Sequence, residues 1–156
     1  MLINDFTLHD QDVKIGLQKF EYIHGIYLYE SDWVRLLKLL PNLKTLGIIQ
    51  RLSVLMPIIR DDDEIRNKLS IITEFNDLHT SLTTLEYVSK LCPKTKKLAL
   101  QYPKKKVIEN LCKFPLLSEI QLRSRDAYFV SELISLLNII GKQIKILTLY
   151  FPEDGM

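Results

Sequence analysis

Three histidines, two cysteines and a run of four carboxylates are the residues of this chain whose types could do chemistry. His9, His24 and His79 are scattered. None stands in the His-x-x-x-His or His-Glu-x-x-His spacing that places two imidazoles on one helix face for zinc. Cys92 and Cys112 lack the two further ligands a zinc site needs, so both thiols are expected to be reduced and packed. Asp61, Asp62, Asp63 and Glu64 are consecutive, and consecutive carboxylates on an ordered backbone cannot all face one ion. No glycine-turned calcium loop follows them, and a solvated acidic loop is expected. There is no Gly-rich phosphate loop and no Gly-x-Ser-x-Gly elbow. The expectation is a chain with no catalytic residue, no cofactor and no metal.

Charge is distributed more tellingly than the total of +2 suggests. Residues 90–125 hold ten basic residues against Glu109 and Glu119, a net +8, which leaves the rest of the chain at −6. Lys97, Lys104, Lys105, Lys106 and Arg125 are the expected basic flank. Such a patch can steer an acidic or phosphorylated protein partner; it can also be a solvated surface that only aids solubility. Nucleic acid is disfavoured, because Tyr102 and Phe114 are the only aromatic residues in the segment that could stack on bases.

The elements that must position these residues come from a recurring pattern. LCPKTKKLAL at 91–100 has relatives in LLPNLKTLGI at 39–48, KFPLLSEIQL at 113–122 and IGKQIKILTL at 140–149. Each runs from a helix end, often Pro, into x-Leu-x-Leu. Looser copies are YIHGIYLY, with Ile26 and Leu28, and NKLSIIT, with Leu69 and Ile71. Six strand starts are thus expected, at 26, 46, 69, 98, 120 and 147. Between them lie amphipathic helices. SDWVRLLKLL (31–40) opens on cap chemistry, and SLTTLEYVSKLC (81–92) has Ser81 or Thr80 as its cap. KKKVIENLCKF (104–114) puts Val107, Ile108, Leu111 and Cys112 on one side, and RDAYFVSELISLLNIIG (125–141) stops at a glycine.

Such connections are long enough to bring the strands back parallel. The predicted fold is α/β: a curved solenoid of about six repeats over residues 22–150, with short parallel strands and helices outside. Residues 1–21 form an uncertain N-terminal flank or cap and 151–156 a tail. With 156 residues, 47% of them hydrophobic, the chain has apolar mass for one core. The Leu-x-Leu pairs point inward. The outward strand residues Tyr27, Tyr29, Gln101, Gln121, Arg123 and Tyr150 form the expected concave, partner-binding face, since tyrosine and arginine are favoured interface anchors.

The segments Cys92-Pro93-x-x-x-x-Leu98-x-Leu100, Pro41-Asn42-Leu43-x-x-Leu46-x-Ile48 and Pro115-Leu116-Leu117-x-x-Ile120-x-Leu122 resemble leucine-rich repeats of the irregular kind found in F-box and ribonuclease-inhibitor-like proteins. The resemblance implies a non-catalytic protein-interaction module, the substrate-recognition region of an F-box-type ubiquitin ligase adaptor. A stand-alone regulatory or scaffolding repeat protein is the alternative. No Leu-Pro-x-Glu F-box start is present. The asparagine that often follows the strand is replaced by Gln50, Gln101, Ser124 and Phe151. Leu147, Leu149 and Tyr150 would leave an exposed edge, implying a fragment of a longer chain or an end covered by another chain. MLINDFTLHDQD lacks a signal-peptide pattern, and no apolar run is long enough for a bilayer span. The expected location is intracellular, cytoplasmic or nuclear.

Overall fold

The computed structural model describes residues 19–21, 30–40, 42–47, 57, 59–79, 81–124 and 130–151. Its strands are β1 (Lys19–Glu21), β2 (Thr45–Gly47), β3 (Glu74–His79), β4 (Lys97–Gln101), β5 (Glu119–Arg123) and β6 (Ile146–Tyr150). They form one sheet in the order β1-β2-β3-β4-β5-β6, with every pairing parallel. The crossovers carry α1 (Glu30–Leu39), α2 (Asp63–Leu69), α3 (Leu82–Leu91), α4 (Lys105–Glu109) and α5 (Val130–Ile140). The fold is therefore α/β with an all-parallel sheet.

The register explains the core. Leu46, Phe75, Leu98, Ile120 and Leu147 stand side by side across five strands. The first four are fully buried. Three residues before each lies Leu43, Ile72, Thr95, Leu117 or Ile144, and Leu100 and Leu122 form a second inward row. The helices close over these rows with Leu36, Leu37 and Leu40 in and after α1, Ile65 and Leu69 in α2, Leu85 and Val88 in α3, Val107 and Ile108 in α4, and Leu133, Leu136 and Ile140 in α5. Burying a Leu or Phe side chain is worth about 1.5–3 kcal/mol, so these contacts dominate the stability.

Hydrogen bonds tie each strand start to the one before it in the same way. The Lys44 carbonyl accepts from the N–H groups of Thr73 and Glu74, Thr73 from Lys96 and Lys97, Lys96 from Ser118 and Glu119, and Ser118 from Lys145 and Ile146. At the other strand end, Tyr102 N–H donates to the Arg123 carbonyl and Ser124 N–H to that of Tyr150.

Several expectations need correction. The strand expected at Leu69 and Ile71 lies further on: Leu69 ends α2, and β3 runs Glu74–His79 with Phe75 in the inward row. Asp61–Glu64 is not a loop. Asp62 caps α2, its Oδ1 accepting from Ile65 N–H at 3.1 Å, while Asp63 and Glu64 occupy the helix's first turn, where the helix dipole favours acids. Cys112 is exposed rather than packed, because α4 tightens into a 3-10 turn over Asn110–Lys113 that leads Phe114 into the core instead. Cys92 is buried, and burial pushes its thiol pKa up. The first strand is Lys19–Glu21, inside the segment expected to be a flank, with Phe20 beside Leu46. The unit expected around Ile26 and Leu28 lies outside the described residues.

Candidate functional site

Parallel sheets in globular proteins usually have helices on both faces. Here the inward rows join the helices in a single core, and the alternate strand residues make a second, mostly polar face. That second face is ordered by the register into rows. The first runs Thr45, Glu74, Lys97, Glu119, Ile146; the second includes Ala99, Gln121 and Thr148; the third includes Gln101, Arg123 and Tyr150.

The first row is knit by polar contacts. Thr45 Oγ1 donates to Glu74 Oε2 at 3.2 Å, Lys97 Nζ lies 3.0 Å from Glu119 Oε1, and Gln121 Nε2 donates to that same oxygen at 3.0 Å. With only about a quarter of each side chain exposed, Lys97 and Glu119 form a fixed cross-strand pair. The third row is more open. Arg123 is exposed and has no carboxylate partner among the described residues, and Tyr150 is 48% exposed. Ile146, on the same strand as Tyr150, is 50% exposed.

The structure thus brings Gln101, Gln121, Arg123 and Tyr150 together on one face, as expected. Tyr27, Tyr29 and Arg125 lie outside the described residues. Lys97 does not belong with the other lysines. It starts β4 on the strand face, while Lys104, Lys105 and Lys106 follow the far end of that strand, whose length is about 13 Å.

At that far end the structure has a feature the sequence did not announce. An open cavity of about 660 Å³ lies between Ser81 and Leu82 at the start of α3, Gln101 and Tyr102 after β4, and Lys104–Val107 entering α4. Ser81 keeps its place by capping α3, its Oγ accepting from Thr84 N–H at 3.1 Å. Tyr102 turns the chain out of the strand with φ at 48°, a left-handed conformation that costs a residue with a Cβ about 1 kcal/mol or more. Only Lys105 among the three lysines is paired. Its Nζ lies 3.1 Å from Glu132 Oε1 and 3.9 Å from Glu109 Oε1, and the Glu132 contact raises its pKa above the ordinary value. Glu132 is held below the usual carboxylate range by its own backbone N–H and then by Lys105. Lys104 and Lys106 have no such partner among the described residues. Tyr102-Pro103 ahead of the lysine run marks a turn, but the cavity also needs Ser81, 21 residues before Tyr102, which spacing along the chain does not bring to it.

Among the described residues no group of three or more His, Cys, Asp or Glu side chains could hold a metal ion. No helix among them is long and apolar enough to cross a membrane. Comparison with family models, with curated proteins and with solved structures finds no match for this chain.

Proposed function

We propose that this chain is a non-catalytic protein-interaction module, built as a leucine-rich-repeat-type solenoid, that receives a protein partner on its second sheet face. The observation that carries this reading is the open row of Gln101, Arg123 and Tyr150, backed by a helix-packed core on the opposite side of the same strands. A sheet holding a half-exposed tyrosine and an arginine with no carboxylate partner among the described residues is suited to act as an anchor surface. The repeated double hydrogen bonds at the Lys44, Thr73, Lys96 and Ser118 carbonyls support the repeat reading. Substrate recognition within an F-box-type ubiquitin ligase is the narrower form of the proposal, and rests on the Cys92-Pro93 and Leu-x-Leu resemblance alone.

The test is a photo-crosslinker placed at Gln121 and, separately, at exposed Ile134 on the helix side. The chain is expected to capture a partner that crosslinks from position 121 and not from 134. The double variant Arg123→Glu/Tyr150→Ala is expected to lose it while keeping the thermal melt of the unmodified chain. Crosslinking from position 134 alone, or capture unchanged in the double variant, would place binding elsewhere.

A further inference from the structure

We infer that the cavity between Ser81, Tyr102 and the Lys104–Lys106 run is a phosphate site, taking a phosphorylated side chain from a peptide segment of the protein partner. The inference rests on the interaction reading above and names the chemistry recognised at one end of that surface.

Charge matching points to phosphate rather than carboxylate. Glu132 already neutralises Lys105, and among the described residues the ammonium groups of Lys104 and Lys106 have no carboxylate to balance them at the cavity. Among the described residues no acidic side chain lines the cavity. Two unbalanced cations are matched by a phosphate monoester, which carries about −1.5 to −2 near neutral pH, and only half matched by a carboxylate. Gln101 adds a neutral amide donor at the same wall, whereas the Ser81 hydroxyl is already engaged by the Thr84 N–H.

Size and lining point to a peptide. At about 660 Å³ the space far exceeds one phosphate, and the half-buried Leu82, the exposed ring of Tyr102 and Val107 offer apolar wall for the residues beside the modified one. A polynucleotide would ask for a track of cations with several stacking rings. Among the described residues Tyr102 is the single aromatic one in this lining. Glu132 holds the Lys105 ammonium at 3.1 Å, so the proposal assigns the phosphate to Lys104 and Lys106.

The experiment uses the full chain and two fluorescent peptide pools, identical in their degenerate flanks and differing only in whether a central threonine is phosphorylated. Fluorescence anisotropy is expected to show the phosphorylated pool binding about tenfold or more tighter, the gain of one or two charge-assisted hydrogen bonds. In Lys104→Ala/Lys106→Ala that preference is expected to vanish. Both side chains are exposed, so circular dichroism should report an unchanged fold. Equal binding of the two pools overturns the inference, as does a preference that survives in the double variant. Displacement of the phosphorylated pool by a twelve-nucleotide single-stranded RNA at equal or lower concentration also overturns it, assigning the cations to a polynucleotide backbone. The two proposals fail separately. Equal pools with a partner still lost in Arg123→Glu/Tyr150→Ala leave the interaction reading standing without the phosphate. A phosphate preference with capture unchanged in that variant leaves the site standing without the strand-face reading.

Discussion

Thr95 occupies a row otherwise filled by Leu43, Ile72, Leu117 and Ile144, and it is completely buried. Its hydroxyl is satisfied locally, donating to the Cys92 carbonyl at 2.7 Å, and that carbonyl also accepts from the Thr95 N–H at 3.1 Å. Removing the hydroxyl therefore orphans nothing. Thr95→Val is expected to leave stability within about 1 kcal/mol of the unmodified chain, or to raise it, because no buried polar group is left without a partner. Chemical denaturation measures this. A loss of several kcal/mol would mean the hydroxyl does more than serve its own turn. The third-row residues obey a different logic: Arg123 and Tyr150 are exposed and Gln101 is half-buried, so they add little to the core.

The acidic stretch shows how an element recruits residues. Lys38, at the end of α1, lies 2.8 Å from Asp62 Oδ2, and the hydrogen bond from Lys38 is the chief reason the Asp62 carboxyl sits below its usual pKa. The N-cap bond from Ile65 N–H adds to that. A carboxyl depressed in the folded state contributes stability that is complete above its unfolded value. That stability is lost as pH falls from about 4 through the lower folded value. The melting temperature is therefore expected to drop between pH 6 and pH 3, and to drop less in Asp62→Asn, which can still cap but cannot carry the charge. Equal drops would remove Asp62 from the account. Glu86 and Glu132, both also depressed, maintain a residual slope in the variant.

The same stretch explains what could be read in advance. β4, β5 and β6 are legible because a Pro or Gly ends each preceding helix region and an apolar pair follows: Leu98 and Leu100, and Ile120 and Leu122, are buried as the pattern implies, whereas of Leu147 and Leu149 at the edge only Leu147 is partly buried. Leu69-x-Ile71 imitates that pair locally. It is claimed by α2 because the Asp62 cap starts a helix that reaches Leu69. The true strand was hidden by an irregularity between Phe75 and Leu78, which breaks the alternation that marks a strand. Of the candidate site, the strand-face residues followed from alternation alone. Pairing of Lys97 with Glu119 and of Lys105 with Glu132 is tertiary, and spacing along the chain does not encode it.

At the scale of the molecule, each described strand is paired only with its neighbours in sequence, so stability is graded by position. Leu98 stands in the middle of the sheet with strands on both sides and is fully buried, whereas Leu149, on the outermost described strand, is 37% exposed. Leu98→Ala is expected to cost about 3 kcal/mol and Leu149→Ala less than about 1 kcal/mol, following the transfer and cavity terms for each site. Urea titration followed by circular dichroism separates the two. Equal costs would mean that the sheet is supported at β6 as firmly as at its centre. Tyr150 and Ile146 share that edge strand, so the proposed partner surface reaches an edge of the sheet, where a strand lies on one side only. Occupancy by a partner is then linked to order there, since binding stabilises the state it selects.

The paired hydrogen bonds at the Lys44, Thr73, Lys96 and Ser118 carbonyls have a further consequence. Each couples one strand start to the next, and on the proposed repeat reading nothing in that junction sets a total length. A duplication or deletion of one strand-and-helix segment preserves every such junction except the one at the cut. The scaffold can therefore be lengthened or shortened in whole increments while its remaining outward rows stay aligned. If the proposed interaction reading holds, the reach of the strand face is a quantity that genetic change can adjust in discrete steps without redesigning the core.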